Sequence, residues 1–242
     1  MSNFTEKLIK VANGNEATKG IIDEENAKAL EKLSSHMLEV NEHLNLTAIK
    51  DEDDVILKHL VDSSACVPYV PENARLVDIG CGGGFPSLVI AILRGDVSVL
   101  GVDSVAKKVK YVDETADYLG LSNVSVSSRR AEELGQDPEY REKFDVVTAR
   151  AVARLNILCE LCIPLLKVGG RFIAMKSLTT EEELDEARNA VSLVGGKVKS
   201  VNRYTLKNDS EEIERTIIVI EKVENTPKKY PRNNSQIAKK PL

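Results

Sequence analysis

The chain has 242 residues, 42% hydrophobic and 29% charged, with a formal net charge of −5. That length suits one large domain with an appendage, and no apolar run approaches the ~18 residues of a membrane span. Four cysteines without a pairing pattern and a start, Met1-Ser2-Asn3-Phe4, that lacks a secretory signal's basic and apolar parts predict a cytoplasmic protein.

Residues 1–70 read as a helical extension. Asp23 before Glu24-Glu25-Asn26-Ala27 is a helix start with acids in its first turn. Leu30, Leu33, Met37, Val40 and Leu44 then recur at three- and four-residue steps and line one face. Asn45-Leu46-Thr47-Ala48-Ile49 breaks the pattern before a helix over roughly 53–66, and Pro68 and Pro71 close the segment.

From residue 75 strands and helices alternate. Strands are predicted near 75–79, 98–102, 124–128, 144–149, 171–175, 198–206 and 214–222, and helices near 87–94, 105–119, 152–166 and 180–194. Right-handed crossovers make such a sheet mostly parallel. Asn208-Asp209-Ser210 joins the last two strands as a hairpin, which adds one antiparallel strand. Gly169-Gly170 and Gly195-Gly196 are expected to end the helices before the fifth and sixth strands.

The first strand runs into Asp78-Ile79-Gly80-Cys81-Gly82-Gly83-Gly84-Phe85-Pro86, and the second ends at Asp103, 23 residues after Gly80. Glycines allow a tight turn and close backbone approach to a ligand, and an acid at the second strand's end can accept from ribose hydroxyls. An adenosine cofactor across the carboxyl ends of the sheet is therefore expected. The dinucleotide pattern needs a sixth-position glycine, and that position is Phe85. The observed spacing of Asp78, Gly80, Gly82 and Gly84 instead resembles the first motif of S-adenosylmethionine-dependent methyltransferases.

Residues 225–242 hold Lys228, Lys229, Arg232, Lys239 and Lys240 and no acid, so this tail is +5 and residues 1–224 carry −10. An acidic body with a basic tail suits a polyanionic partner touched by a limited surface, or else a solvated tail. Pro227, Pro231 and Pro241 predict an extended conformation for it.

Further segments, in order, narrow the reading. They are Asn45-Leu46-Thr47-Ala48-Ile49, His59-x-x-Asp62-Ser63, the glycine loop, Asp103-Ser104 with Lys107-Lys108, Arg130-Ala131-Glu132, Thr148-Ala149-Arg150-Ala151-Val152 and Ala174-Met175-Lys176. With Asn225-Thr226-Pro227-Lys228-Lys229-Tyr230-Pro231-Arg232 near the end, the series from about residue 20 to 232 resembles the small-subunit ribosomal RNA methyltransferase G family, also called glucose-inhibited division protein B. Departures are Lys107-Lys108, where many members have Lys-Arg, and Ser87, where many have Gly.

The resemblance implies a class I, Rossmann-like methyltransferase fold: an α/β domain over 71–224, with a seven-stranded, mostly parallel sheet. It implies methylation of N7 of a guanine in the 530 loop of 16S rRNA, within the 30S subunit or an assembly intermediate, by a monomer. Cofactor contacts carried over by motif are Gly80, Phe85, Ala131, Glu132 and Arg150. Asp78, Gly82 and Asp103 join them from the loop reading.

The chemistry of the fourth-strand end is compatible with a ring nitrogen. Amine-directed base methyltransferases resemble one another in an Asn/Asp-Pro-Pro-aromatic motif there, and C5-directed enzymes need a cysteine. Thr148-Ala149-Arg150-Ala151 has neither. Guanine N7 already offers an in-plane lone pair, so positioning suffices, and neither a catalytic base nor a metal is expected. Cys159-x-x-Cys162 lacks a second pair and reads as buried packing. His59 with Asp62 reads as a structural pair or an rRNA contact, and Arg129, Arg130 and Lys176 as solvated charges or ligand contacts. A methyltransferase for a protein or small molecule, a cofactor-binding regulator and a nicotinamide enzyme are the alternatives.

Overall fold

The strand before the glycine loop is the axis of the molecule. Leu76, Val77, Asp78 and Ile79 of β1 (Arg75–Ile79) are all buried, as a strand covered on both faces must be. β2 (Ser98–Val102) and β4 (Phe144–Arg150) flank it in parallel, with β3 (Val124–Ser127) and β5 (Leu166–Lys176) outside them. β6 (Gly196–Lys207) and β7 (Glu212–Lys222) form the expected hairpin, and the sheet order is β3-β2-β1-β4-β5-β7-β6. β7 runs antiparallel to both of its neighbours. The order reverses at β1 and β4, which opens a crevice at their carboxyl ends. The computed structural model describes residues 1–178 and 181–242. The helix expected from residue 180 is α9 (Glu181–Leu193), and Thr180 itself lies outside the described residues.

Side chains alternate across the sheet as strand geometry requires. Val77, Val147, Phe172 and Ile218 pack with α7 (Ala131–Gln136), α8 (Leu155–Cys162) and α9. Leu76, Val146, Ile173 and Val219 face the other way, towards α5 (Ser87–Leu93). Cys159 and Cys162 are fully buried in the first of these layers, as packing residues.

The first 70 residues share a core with the sheet domain. α1 (Asn3–Gly14) and α2 (Glu24–Leu44) pack in one cluster with Phe85, Leu88 of α5, and Tyr111 and Val112 of α6 (Ala106–Leu119). Asp23 caps α2 by accepting from the Asn26 N–H at 2.8 Å, and Asn45, at φ +52°, ends it. Leu30, Leu33 and Met37 are fully buried, each contributing about 1.5–3 kcal/mol. The helix expected over 53–66 is a continuous run over 52–64: α3 (Glu52–Asp54), a π-helical middle (Val55–Val61) and α4 (Asp62–Ser64).

Two expectations need correction. Gly169-Gly170 does not end a helix: α8 stops at Cys162, Pro164 sits in a following 3-10 turn, and both glycines lie inside β5. There the pairing jumps from Phe144 with Leu166 to Val146 with Arg171, so Gly169, at φ +86°, marks a bulge. Gly195, at φ +84°, does separate α9 from β6.

The second correction is the C-terminal segment, which is neither wholly extended nor loose. Thr226, Tyr230 and Ile237 are buried. Arg141 donates to the Tyr230 and Thr226 carbonyls, each at 2.7 Å, and Gln136 donates to the Pro231 carbonyl at 2.6 Å. Arg232 donates to both carboxylate oxygens of Glu160, a residue with no exposure, at 2.8 and 2.5 Å. Between Pro231 and Pro241 there is room for one short helix, α10 (Asn234–Lys239), which Asn233 caps.

Candidate active site

The glycine loop folds back over the end of β2. Gly80 and Cys81 donate to the Val102 carbonyl at 2.8 and 3.0 Å, which holds the turn against the neighbouring strand. Gly80 has φ +75°, and a Cβ there would lie 2.4 Å from Val152 Cγ2. Gly82 has φ +54° but meets no protein atom closer than 3.8 Å, so its bare side faces open space. Cys81 turns the other way, with its Sγ 3.3 Å from where a Cβ on Gly101 would stand. Burial pushes its thiol well above the usual range.

That open space is a cleft of about 820 Å³ at the carboxyl ends of the parallel strands. Gly80, Gly82, Phe85, Asp103, Ala131, Glu132 and Arg150 all line it. Asp78 does not. It is fully buried beneath the loop, paired in register with Thr148, whose hydroxyl donates to it at 2.8 Å. Burial lifts its pKa to about 6. Asp78 thus ties β1 to β4 below the cleft floor.

Asp103 holds the loop as well as facing the cleft. Its two oxygens accept from the Gly82 N–H at 3.1 Å and the Val105 N–H at 2.9 Å. A carboxylate oxygen has a second acceptor site, so both remain able to take ribose hydroxyls. A glycine cradle, Asp103 at the end of β2 and Glu132 just beyond β3 fit an adenosine group. Replacing Asp103 with alanine is expected to weaken adenosylmethionine binding by about 1–3 kcal/mol. Titration calorimetry checks this; unchanged affinity would remove Asp103 from the ribose site.

Arg150 is the hub of the opposite wall. Its Nη1 donates to the Lys58 carbonyl at 2.9 Å and to Asp62 at 3.0 Å, and Nη2 lies 3.4 Å from His59 Nδ1. The guanidinium sits 5.7 Å above the Phe85 ring, and that ring stacks on His59 at 4.6 Å. Asp62 also accepts from the Tyr204 hydroxyl at 3.3 Å and pairs with Arg215 at 3.4 Å. His59 and Asp62 are therefore partners of Arg150, not of each other. Both come from the helical run whose π-helical turn carries His59, a distortion common at functional sites.

His59 is held neutral. Burial, then the adjacent Arg150 charge, pulls its pKa down to about 4. With Nδ1 facing a guanidinium, Nε2 carries the proton and donates to the Thr47 hydroxyl at 2.9 Å. Unfolded histidine titrates near 6.5, so the unfolded chain takes up this proton first. Stability is full above pH ~6.5 and falls towards pH 4, by about 3 kcal/mol from this group. In His59→Gln the fall in urea-unfolding stability between pH 7 and 4.5 should shrink correspondingly. Asp78, whose raised pKa gives the opposite slope, is common to both proteins and cancels. An equal fall in both would refute the assignment.

Most other basic groups on the cleft wall are tied to carboxylates. Lys58 pairs with Asp54 at 2.7 Å and Glu211 at 2.9 Å, Arg130 with Glu132 at 2.8 Å, Arg129 with Asp137 at 2.7 Å, and Lys176 with Glu183 at 2.6 Å. Several lining residues escaped the sequence reading, Lys58, Arg215 and Asn234 among them. Asn234 comes from the C-terminal segment and joins Ile157 and Leu161 of α8 on the cleft lining.

The fold is similar to that of an S-adenosylmethionine-dependent O-methyltransferase from Thermotoga maritima, with a TM-score of 0.51 and 18% identity over 79% of this chain and 72% of the other. A ribosomal RNA small subunit methyltransferase G from Lactobacillus delbrueckii subsp. bulgaricus is 47% identical over 210 residues, 85% of this chain and 87% of that protein. One from Caldicellulosiruptor bescii is 44% identical over 216 residues, 87% and 90% of the two chains. The profile of the family described as rRNA small subunit methyltransferase G matches residues 26–215, and with its glycine loop, Asp103 and Arg150 gathered on one cleft the chain belongs to that family.

Proposed function

We propose that the protein transfers the methyl group of S-adenosylmethionine to N7 of a guanine in the 530 loop of 16S rRNA. It acts as a cytoplasmic monomer on the 30S subunit or an assembly intermediate. The observation that carries this reading is the chemistry at the end of β4. Arg150 is committed to Asp62, His59 and a backbone carbonyl, and the cleft cysteine is buried with a raised pKa. His59, the only imidazole on the cleft among the described residues, has both nitrogens engaged. Such a wall orients a base that needs no deprotonation, and guanine N7 is one.

When bound, the cofactor supplies an electrophilic methyl on a sulfonium. The chain's own contribution is position: the glycine loop and Asp103 hold the nucleoside, and the Phe85–His59 stack braces Arg150 on the opposite wall. Mapping N7-methylguanine in 16S rRNA from cells with and without the gene tests the proposal. One methylated guanine in the 530 loop should vanish on deletion and return with a plasmid copy. An unchanged map would overturn it.

A further inference from the structure

We propose that the C-terminal segment, residues 227–242, is a wall of the substrate cleft that holds the phosphate backbone of the RNA strand entering it. The inference rests on the reading of the substrate as rRNA and says which part of the chain grips it. The matched family profile ends at residue 215, so this segment lies outside it.

Three observations converge. The segment is anchored to the elements that build the cleft. Arg232 is bonded to the buried Glu160 of α8, Gln136 of α7 donates to the Pro231 carbonyl, and a Cβ on Gly135 would lie 2.6 Å from Pro231. The first two residues of α7, Ala131 and Glu132, line the cleft. The segment also reaches the cleft itself, through Asn234.

The third observation is where free positive charge resides. Arg150, Arg130, Lys58 and Lys176 face carboxylates, and of the cations on the cleft lining only Lys108 has no ion pair among the described residues. Arg232 is neutralised by Glu160. By contrast Lys228, Lys229, Lys239 and Lys240 are all exposed, and none forms an ion pair among the described residues. No acid occurs between 225 and 242, in a chain whose remainder carries −10. A phosphate backbone approaching that acidic body meets uncompensated positive charge at these lysines. Asn234 on the cleft lining opens α10, so Lys239 and Lys240 stand within two helical turns of the cleft, on a segment already ordered before binding. Asn234, uncharged and on the cleft lining, is suited to a hydrogen bond with the same strand.

The test measures binding of purified 30S subunits across a salt series. The quadruple variant Lys228→Gln, Lys229→Gln, Lys239→Gln, Lys240→Gln should bind roughly ten-fold more weakly at low salt. Its slope of log affinity against log salt should be shallower by up to about 3, since each lost phosphate contact no longer releases a counterion. Affinity for adenosylmethionine and thermal unfolding should match the wild type. Asn234→Ala should weaken 30S binding with the slope unaltered. A quadruple variant with wild-type affinity and slope overturns the proposal, as does Asn234→Ala weakening only the cofactor. Failure of the wild-type protein to bind 30S subunits at all would instead count against the rRNA reading.

Discussion

Replacing Gly82 with valine is expected to abolish adenosylmethionine binding while leaving the fold in place. Two effects act together. At φ +54° a branched residue is strained, and its side chain would project into the space that the loop leaves open, with the nearest protein atom 3.8 Å from its Cβ. The protein itself has room for the side chain, so the loss falls on the ligand and not on packing. Gly80 differs: its Cβ would strike Val152 at 2.4 Å, and substitution there would disturb the wall as well. Calorimetric titration of Gly82→Val, beside its thermal unfolding, separates the two effects. Normal cofactor affinity in this variant would show that the loop does not approach the ligand.

Removing Arg232 should produce the largest stability change. Arg232→Ala leaves the fully buried Glu160 carboxylate without its cation and takes away two side-chain hydrogen bonds. Breaking a buried pair from one side costs about 3–5 kcal/mol. For a chain of this size that lowers Tm by about 10 °C. Adding Glu160→Leu to that variant should recover most of the loss, because the unpaired charge goes with it. A single variant that melts with the wild type would show that the segment is not anchored through this pair.

The loop was legible because its demands are local. Gly80, Gly82 and Gly84 all take positive φ, and alternate glycines after an apolar strand state that requirement in adjacent residues. Strand positions were legible for a similar reason, since buried parallel strands are short apolar runs between turns. The hub around Arg150 was not. Its partners Lys58, His59 and Asp62 lie about 90 positions earlier, and nothing in either segment names the other. The fold of the C-terminal segment was hidden by the kind of contact that holds it. Arg141 and Gln136 bind backbone carbonyls, which every residue possesses, so no side-chain pattern marks the acceptors. Gly169 misled because positive φ serves helix ends and bulges alike.

The Arg150 hub has a consequence for how the molecule comes apart. Asp62 is bonded at once to β4 through Arg150, to β6 through Tyr204 and to β7 through Arg215. The helical extension cannot lift away without breaking all three of these contacts and baring the apolar face of α6. Such an opening also uncovers the shared cluster of α1, α2, α5 and α6, so it is expected to be rare by itself. Amide protons in the 52–64 run and in β4 are therefore expected to exchange through one shared opening event, and heating to melt the chain as a single cooperative unit where its three-part composition would promise separate ones.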